Sequence, residues 1–300
     1  MPSRFVPTPR PIDLALTLGP LLRGAGDPTM RVVGAEVWRA SRTPDGPATV
    51  RFSPADGGVD VETWGSGSDW LLERAPEWCG ALDDDSGFEP SNGIVRDLWR
   101  RRPGLRIPRT GLVTERLIPV VLEQKVTGHE ARRAYRRLTV ALAEPSPGPG
   151  PAELTLPPDP SRIAALPYYA FHPFGVERRR AEVLRTVCAR ASWLDAAIDL
   201  PVAEAEHRIG MLRGLGPWSV AEVARTALGD ADAVSVGDFH VPNIVAWGLA
   251  GEPRGTDERM LELLEPYRPH RGRVQLLLEA GGIRPPAFGP RMEVRAIDRL

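Results

Sequence analysis

Lysine is almost missing from this chain of 300 residues: of 38 basic side chains, only Lys125 is a lysine, and the other 37 are arginines. Covalent chemistry through a side-chain amine is therefore confined to one position. Cysteine is nearly as scarce, because Cys79 and Cys188 cannot supply the four thiolates of an iron–sulfur cluster. Cys188 falls on the apolar side of a helical pattern with Ala181, Leu184 and Ala191, so both cysteines are expected to be buried thiols and not a disulfide. No apolar run approaches a membrane span, and residues 1–10 lack the apolar core of a secretory signal. A cytoplasmic protein with no membrane partner is expected.

Net charge is also close to absent, at −1, but the charge is segregated. Residues 97–140 hold eleven Arg and Lys against Asp97, Glu115, Glu123 and Glu130, a local charge of +7 that leaves −8 for the remainder. A basic block of this kind is the footprint of phosphate-backbone recognition. Within it, Arg100, Arg101 and Arg102 are the expected phosphate neighbours. Arg132, Arg133, Arg136 and Arg137 fit equally well a solvated helix surface.

The first 90 residues show strand patterning: residues 32–40, then alternation through Ala48, Val50 and Phe52, a turn at 54–58, and alternation through Val59, Val61 and Thr63. A helix capped by Ser68 is predicted to run to Trp78. From about residue 95 the periodicity is helical, with a stripe of Ala131, Ala134, Tyr135, Leu138, Ala141 and Leu142. The Pro/Gly-rich segment 144–160 interrupts it and is expected to be an exposed connector. Further helices are predicted over 178–191, 241–249, 257–266 from a Thr256 cap, and 271–280. The expected architecture is α+β: a small antiparallel sheet domain with a helix over 1–90, then an all-α domain over 91–300 made of two helical subdomains.

The chemistry concentrates at residues 211–220 and 234–240. Residues 201–212 carry an apolar side of Val202, Ala205, Ile209 and Leu212, and Val220, Val223, Ala224, Ala227 and Leu228 recur with helical spacing after Pro217. Two helices therefore meet at Gly214-Leu215-Gly216. Glycines there permit positive φ and leave the turn amides, with the next helix N-terminus, open to a phosphate oxygen. Leu215 is expected to plug the apolar seam. An αα-hairpin with no ligand has the same local pattern. About twenty residues on, Asp238 stands in a Gly-Asp-Phe-His turn before a helix with Pro242 in its first turn, a position that also suits a helix cap.

Leu-x-Gly-Leu-Gly-Pro-Trp-Ser followed by that Asp resembles the helix-hairpin-helix DNA glycosylase superfamily, and in particular its DNA-3-methyladenine glycosylase II branch. Residues 98–109 leading into 117–127, and residues 267–273, resemble two further blocks of the family, in order, over roughly residues 95–282. The resemblance implies a monofunctional enzyme of base excision repair that flips a damaged, alkylated base out of double-stranded DNA and hydrolyses its N-glycosidic bond.

In that frame Asp238 is the catalytic acid, since a fixed carboxylate beside the anomeric carbon stabilises the cationic sugar and orients water. Gly214, Leu215, Gly216 and Ser219 are the implied backbone-binding turn. Trp218 and Phe239 are the pocket aromatics, and Glu222 and Glu279 fall where relatives place others, which implies a more polar pocket. Gln124 and Lys125 occupy the wedge that fills the hole left by the flipped base. Bifunctional relatives have a lysine where this chain has Trp218, which favours hydrolysis without strand cleavage. No cofactor or metal is expected beyond a monovalent cation at the hairpin turn, and a monomer is expected. His240 is expected to hydrogen-bond locally near Asp238. Tyr168, Tyr169, Phe171 and His172, and Trp64, Trp70, Trp78, Trp99, Trp193 and Trp247, are expected to pack in cores. The competing reading is a non-catalytic DNA-binding protein that kept the hairpin.

Overall fold

A computed structural model describes residues 2–90 and 93–286; the stretch 287–300 of the expected helical domain lies outside the described residues. The N-terminal strands β1 (Ser3–Pro7), β2 (Met30–Val33), β3 (Glu36–Thr43), β4 (Gly46–Ala55) and β5 (Gly58–Gly65) form one antiparallel sheet in the order β1-β5-β4-β3-β2. Its register sets Phe52 opposite both Val37 and Val61. All three side chains are buried, packed with Leu71, Ala75 and Trp78 of the Ser68–Trp78 helix. Alternation sends Asp60 outward and Val59 and Val61 inward, as period-2 patterning requires.

Three expectations are corrected here. Residues 32–40 are not one strand: Gly34, at φ +61°, takes the left-handed conformation of a two-residue hairpin turn, so Val32 pairs with Val37. The helix begins at Ser68 with Gly67 as its cap, and the Ser68 hydroxyl instead donates to Gly65 O at 2.7 Å. The 144–160 segment is not an exposed connector. Leu154 and Leu156 are buried with Trp38 and Ala40, under the stacked Trp38–Trp64 pair. Backbone bonds from Thr155 N to Pro28 O and from Leu156 N to Glu144 O tie the segment down. The sheet's outer face is aromatic, and burying it outweighs the poor helix and sheet propensity of the Pro/Gly run.

The helical part has two cores. The central one is built around the Val113–Glu123 helix, whose residues from Val113 through Leu122 are almost all buried. Against it pack Gly128–Ala141, opened by a Thr127/Glu130 capping box, then Arg178–Cys188, and the hairpin helices Val202–Gly210 and Pro217–Val223. The second core joins Gly93–Arg101, Val241–Ala250, Asp257–Leu264 with its Thr256 cap, and Arg271–Ala280. Cys79 and Cys188 are buried free thiols, as expected. Trp78 is fully buried, whereas Trp193 and Trp247 are more than a third exposed and serve no core. Phe171 is buried and Tyr169 is exposed. Among the described residues no helix is long and apolar enough to cross a membrane. The connection 229–240 carries the chain from the central core to the second one, and Asp238 rides on it.

Candidate active site

Leu212 to Pro217 forms the predicted turn. Gly214 has φ +99°, and a Cβ there would come within 2.5 Å of Val183 Cγ2. Gly216 differs. It is extended (φ −95°, ψ −178°), and a Cβ on it would meet nothing within 4 Å. One glycine therefore closes the turn and the other keeps its surface bare. Leu215 is buried in the central core. The first α-helical bond after the turn runs from Val220 N to Gly216 O, so the Trp218 and Ser219 amides lie in the first turn, ahead of any intrahelical acceptor.

Gln124, at the end of the Val113–Glu123 helix, clamps this turn. Its Nε2 donates to Gly214 O at 2.8 Å and to Ser219 Oγ at 3.0 Å. Ser219 is 2% exposed, so its hydroxyl serves the clamp and is not presented to a surface ligand. Next to Gln124, Lys125 is exposed and holds φ +55°, a left-handed conformation that is costly for a side chain with a Cβ. Leu212 O and Gly214 O accept from Leu215 N and from Gln124 Nε2.

Asp238 is fixed from two sides. Its Oδ1 accepts from His240 N at 2.6 Å and Val241 N at 2.9 Å, and its Oδ2 accepts from the Trp218 indole at 2.9 Å. The carboxylate thus caps the Val241–Ala250 helix while staying partly exposed. His240 acts through its amide, and its ring meets Phe239 edge-on at 5.0 Å. Phe239 projects into solvent, 78% exposed, and does not form a closed pocket wall with Trp218.

Behind Trp218 and Asp238 lies a buried charged cluster that the sequence analysis did not assemble. Glu222 Oε2 accepts from Arg116 at 3.0 Å, and Oε1 accepts from Ser235 Oγ at 2.8 Å and from Arg225. Burial pushes the Glu222 carboxyl up, but Arg225, Arg116 and the Ser235 hydroxyl outweigh it and hold it down at about 2. Gln275, fully buried, accepts from Ser235 N, donates to Ser235 Oγ, and reaches Glu279 Oε1 at 3.4 Å. Glu279 is pushed up to about 7 by burial, with Glu222 and Asp238 adding and Arg225 opposing. The expected pocket glutamates therefore behave oppositely: both Glu222 oxygens are already engaged, while Glu279 keeps one oxygen outside these bonds. The i,i+3 spacing of Glu222 and Arg225 and the i,i+4 spacing of Gln275 and Glu279 were the local signals for the cluster; only the fold brings these two pairs, Arg116 and Ser235 together.

Of the basic run, Arg100 and Arg101 are exposed at the end of the Gly93–Arg101 helix. Arg102 is committed to structure, donating to Ala280 O at 2.8 Å. Among the described residues, no group of three or more His, Cys, Asp or Glu side chains could hold a metal ion.

This architecture is the fold of the helix-hairpin-helix DNA glycosylases. The structure superposes on the 3-methyladenine DNA glycosylase of Archaeoglobus fulgidus with a TM-score of 0.76 and 16% identity, covering 93% of this chain and 97% of that one. It superposes on the apo 8-oxoguanine glycosylase/lyase of Clostridium acetobutylicum with a TM-score of 0.68 and 12% identity, covering 93% and 96%. In sequence, 169 residues are 28% identical to the probable bifunctional transcriptional activator/DNA repair enzyme AlkA of Mycobacterium tuberculosis. That match spans 56% of this chain and only 32% of the relative, and it agrees with the 3-methyladenine glycosylase II resemblance. No family model matches the chain.

Proposed function

We propose that this chain is a monofunctional DNA glycosylase of base excision repair, acting on damaged, alkylated bases in double-stranded DNA. The observation that carries the reading is the Asp238 carboxylate, held by the Trp218 indole and two helix-start amides, on the connection that follows the Gly214–Gly216 hairpin. In this reading the bare Gly216 surface and the first-turn amides take a phosphate oxygen. The exposed Arg100 and Arg101 add to backbone attraction. Lys125 inserts its stem where the damaged nucleotide leaves the stack, while Gln124 holds the hairpin that positions it. The extruded base stacks on Trp218.

As the C1′–N bond lengthens, Asp238 faces the growing positive charge on the sugar and takes the proton of the attacking water. The sequence resemblance puts Trp218 at the position of the amine of strand-cleaving relatives, and this supports hydrolysis as the expected outcome. The test is a panel of duplexes, each with one lesion (3-methyladenine, 7-methylguanine, ethenoadenine, hypoxanthine, uracil, 8-oxoguanine), assayed for abasic sites with and without alkali beside an Asp238→Asn variant. Alkali-dependent cleavage lost in the variant is expected. Equal silence from both proteins with DNA binding intact points to the non-catalytic reading.

A further inference from the structure

We infer that the junction between the sheet and the central helical core holds a buried anion site of halide size, which takes chloride. A cavity lies there between Arg39 on β3, Arg23 from the segment ahead of β2, and Arg116 on the Val113–Glu123 helix, with Glu115, Pro119 and Tyr135 among the residues that complete its wall. Its volume of about 10 Å³ admits one particle the size of a water or a halide ion. Two guanidinium N–H groups of that wall, Arg39 Nε and Arg116 Nη1, have no acceptor among the described residues. Arg39 is 7% and Arg116 6% exposed, so neither group reaches bulk water. A charged donor left unpaired in the interior carries its full desolvation cost.

The charge around the cavity leans positive. Arg23, Arg39 and Arg116 line it against a single carboxylate, Glu115. Glu123 and Glu222, which pair with Arg23 and Arg116, stand outside the wall, and Glu222 is shared with Arg225. Asp27 is also outside it, its oxygens spent on Arg23 N and on Thr29. Burial, with Arg23 adding, pulls the Arg116 guanidinium down to about 9, against the opposing pull of Glu222 and Glu123. A negative ion in the cavity offers the two N–H groups an acceptor and offsets that excess. A water is the poorer occupant, because it must also donate its own two protons. Glu115, the lining carboxylate, already accepts from Arg39 Nη2, Ser41 Oγ and Arg42 N, whereas a halide accepts and donates nothing. The ion would tie β3 to the helix whose end carries Gln124, and the site does not depend on the glycosylase reading.

The test uses the full chain and bromide as the probe. Crystals grown in sodium bromide, measured at the bromine absorption edge, should show an anomalous peak inside the cavity in contact with Arg39 Nε and Arg116 Nη1. In solution, exchanging sodium gluconate for sodium chloride at fixed ionic strength should raise the melting temperature saturably by at least about 2 °C, since the ion binds only the folded chain. Arg39→Met removes one N–H and should abolish that increment. Because it also strips Glu115 of its partner, the double variant of Arg39→Met with Glu115→Gln keeps the charge balanced and should lose the increment too. A cavity density with no anomalous signal, bromide peaks on the surface alone, or a chloride increment that survives in the double variant each overturn the site. Neither readout involves DNA, so silence on every lesion would sink the glycosylase reading and leave this result intact.

Discussion

The Trp218 indole N–H lies 2.9 Å from Asp238 Oδ2 and donates to it. In the proposed reading, the ring that stacks on the extruded base is thereby also the group that aims the carboxylate. Trp218→Phe keeps a ring and removes the donor. A hydrogen bond to a charged acceptor contributes about 1.5–3 kcal/mol, which corresponds to a slowing of excision by roughly 10- to 100-fold. Single-turnover rates should show that drop with unchanged affinity for undamaged duplex. Wild-type rates in the variant would remove the positioning role.

The two hairpin glycines should fail differently. Gly214→Ala places a Cβ at φ +99° and 2.5 Å from Val183 Cγ2, so a loss of about 1–3 kcal/mol in unfolding free energy is expected. Gly216→Ala meets neither strain nor a neighbour. It should melt like the wild type yet bind duplex DNA several-fold more weakly, because the methyl occupies the surface offered to phosphate. Normal DNA binding by Gly216→Ala would move the phosphate contact elsewhere.

Glu222 and Glu279 bend the stability–pH curve in opposite senses. Glu222 is held down at about 2 in the folded chain against an ordinary 4.5; its contribution is complete above about 4.5 and is lost as pH falls toward 2. Glu279 is held up at about 7; its contribution is complete below about 4.5 and is lost as pH rises through 7. Glu222→Gln leaves the buried Arg116 and Arg225 without their carboxylate and should cost about 3–5 kcal/mol at neutral pH. Glu279→Gln should be close to neutral at pH 4.5 and raise the melting temperature at pH 8. Parallel curves for wild type and Glu279→Gln across that range would refute the burial argument.

What was legible in the sequence was local. The hairpin glycines, the Thr256 cap, the turn bearing Asp238 and most of the apolar faces of the hairpin helices are set by neighbours within a few residues and stand where the pattern put them, whereas Val202, expected on the apolar side, is exposed. The misses have long-range causes. Strand β1 was invisible because a short run between prolines becomes a strand only when β5 pairs with it. The 144–160 segment looks like a connector until the Trp38–Trp64 face supplies something for Leu154 and Leu156 to cover. Arg102 was read with Arg100 and Arg101 as a phosphate neighbour, and only the fold brings Ala280 O to it, 178 residues away. The charged cluster joins positions 116, 222, 225, 235, 275 and 279, and beyond the 222/225 and 275/279 helical pairs no periodicity relates them.

Gln124 offers a test of whether the hairpin must be clamped. Gln124→Ala removes both donated bonds, to Gly214 O and Ser219 Oγ, for an expected stability loss of about 1–2 kcal/mol. Amide hydrogen exchange at 214–219 should speed up more than at the Val202–Gly210 helix, with a parallel loss of DNA affinity. Unchanged exchange at the turn would show that the helices alone hold it.

Lys125 separates strain from function. Its φ of +55° costs a side chain with a Cβ about 1 kcal/mol, and glycine would relieve that cost while adding a similar amount of unfolded-state entropy. Lys125→Gly should therefore melt within a degree or two of the wild type. If the stem fills the vacated stack, the same variant should lose most of its ability to unstack a base, read by the fluorescence of a 2-aminopurine placed beside the lesion. Lys125→Met keeps the stem and discards the charge, so it should retain unstacking while the slope of log affinity against log salt falls by about one. If Met fails as Gly does, the ammonium and not the stem is what the DNA meets, and a left-handed residue at this tip serves to present a charge.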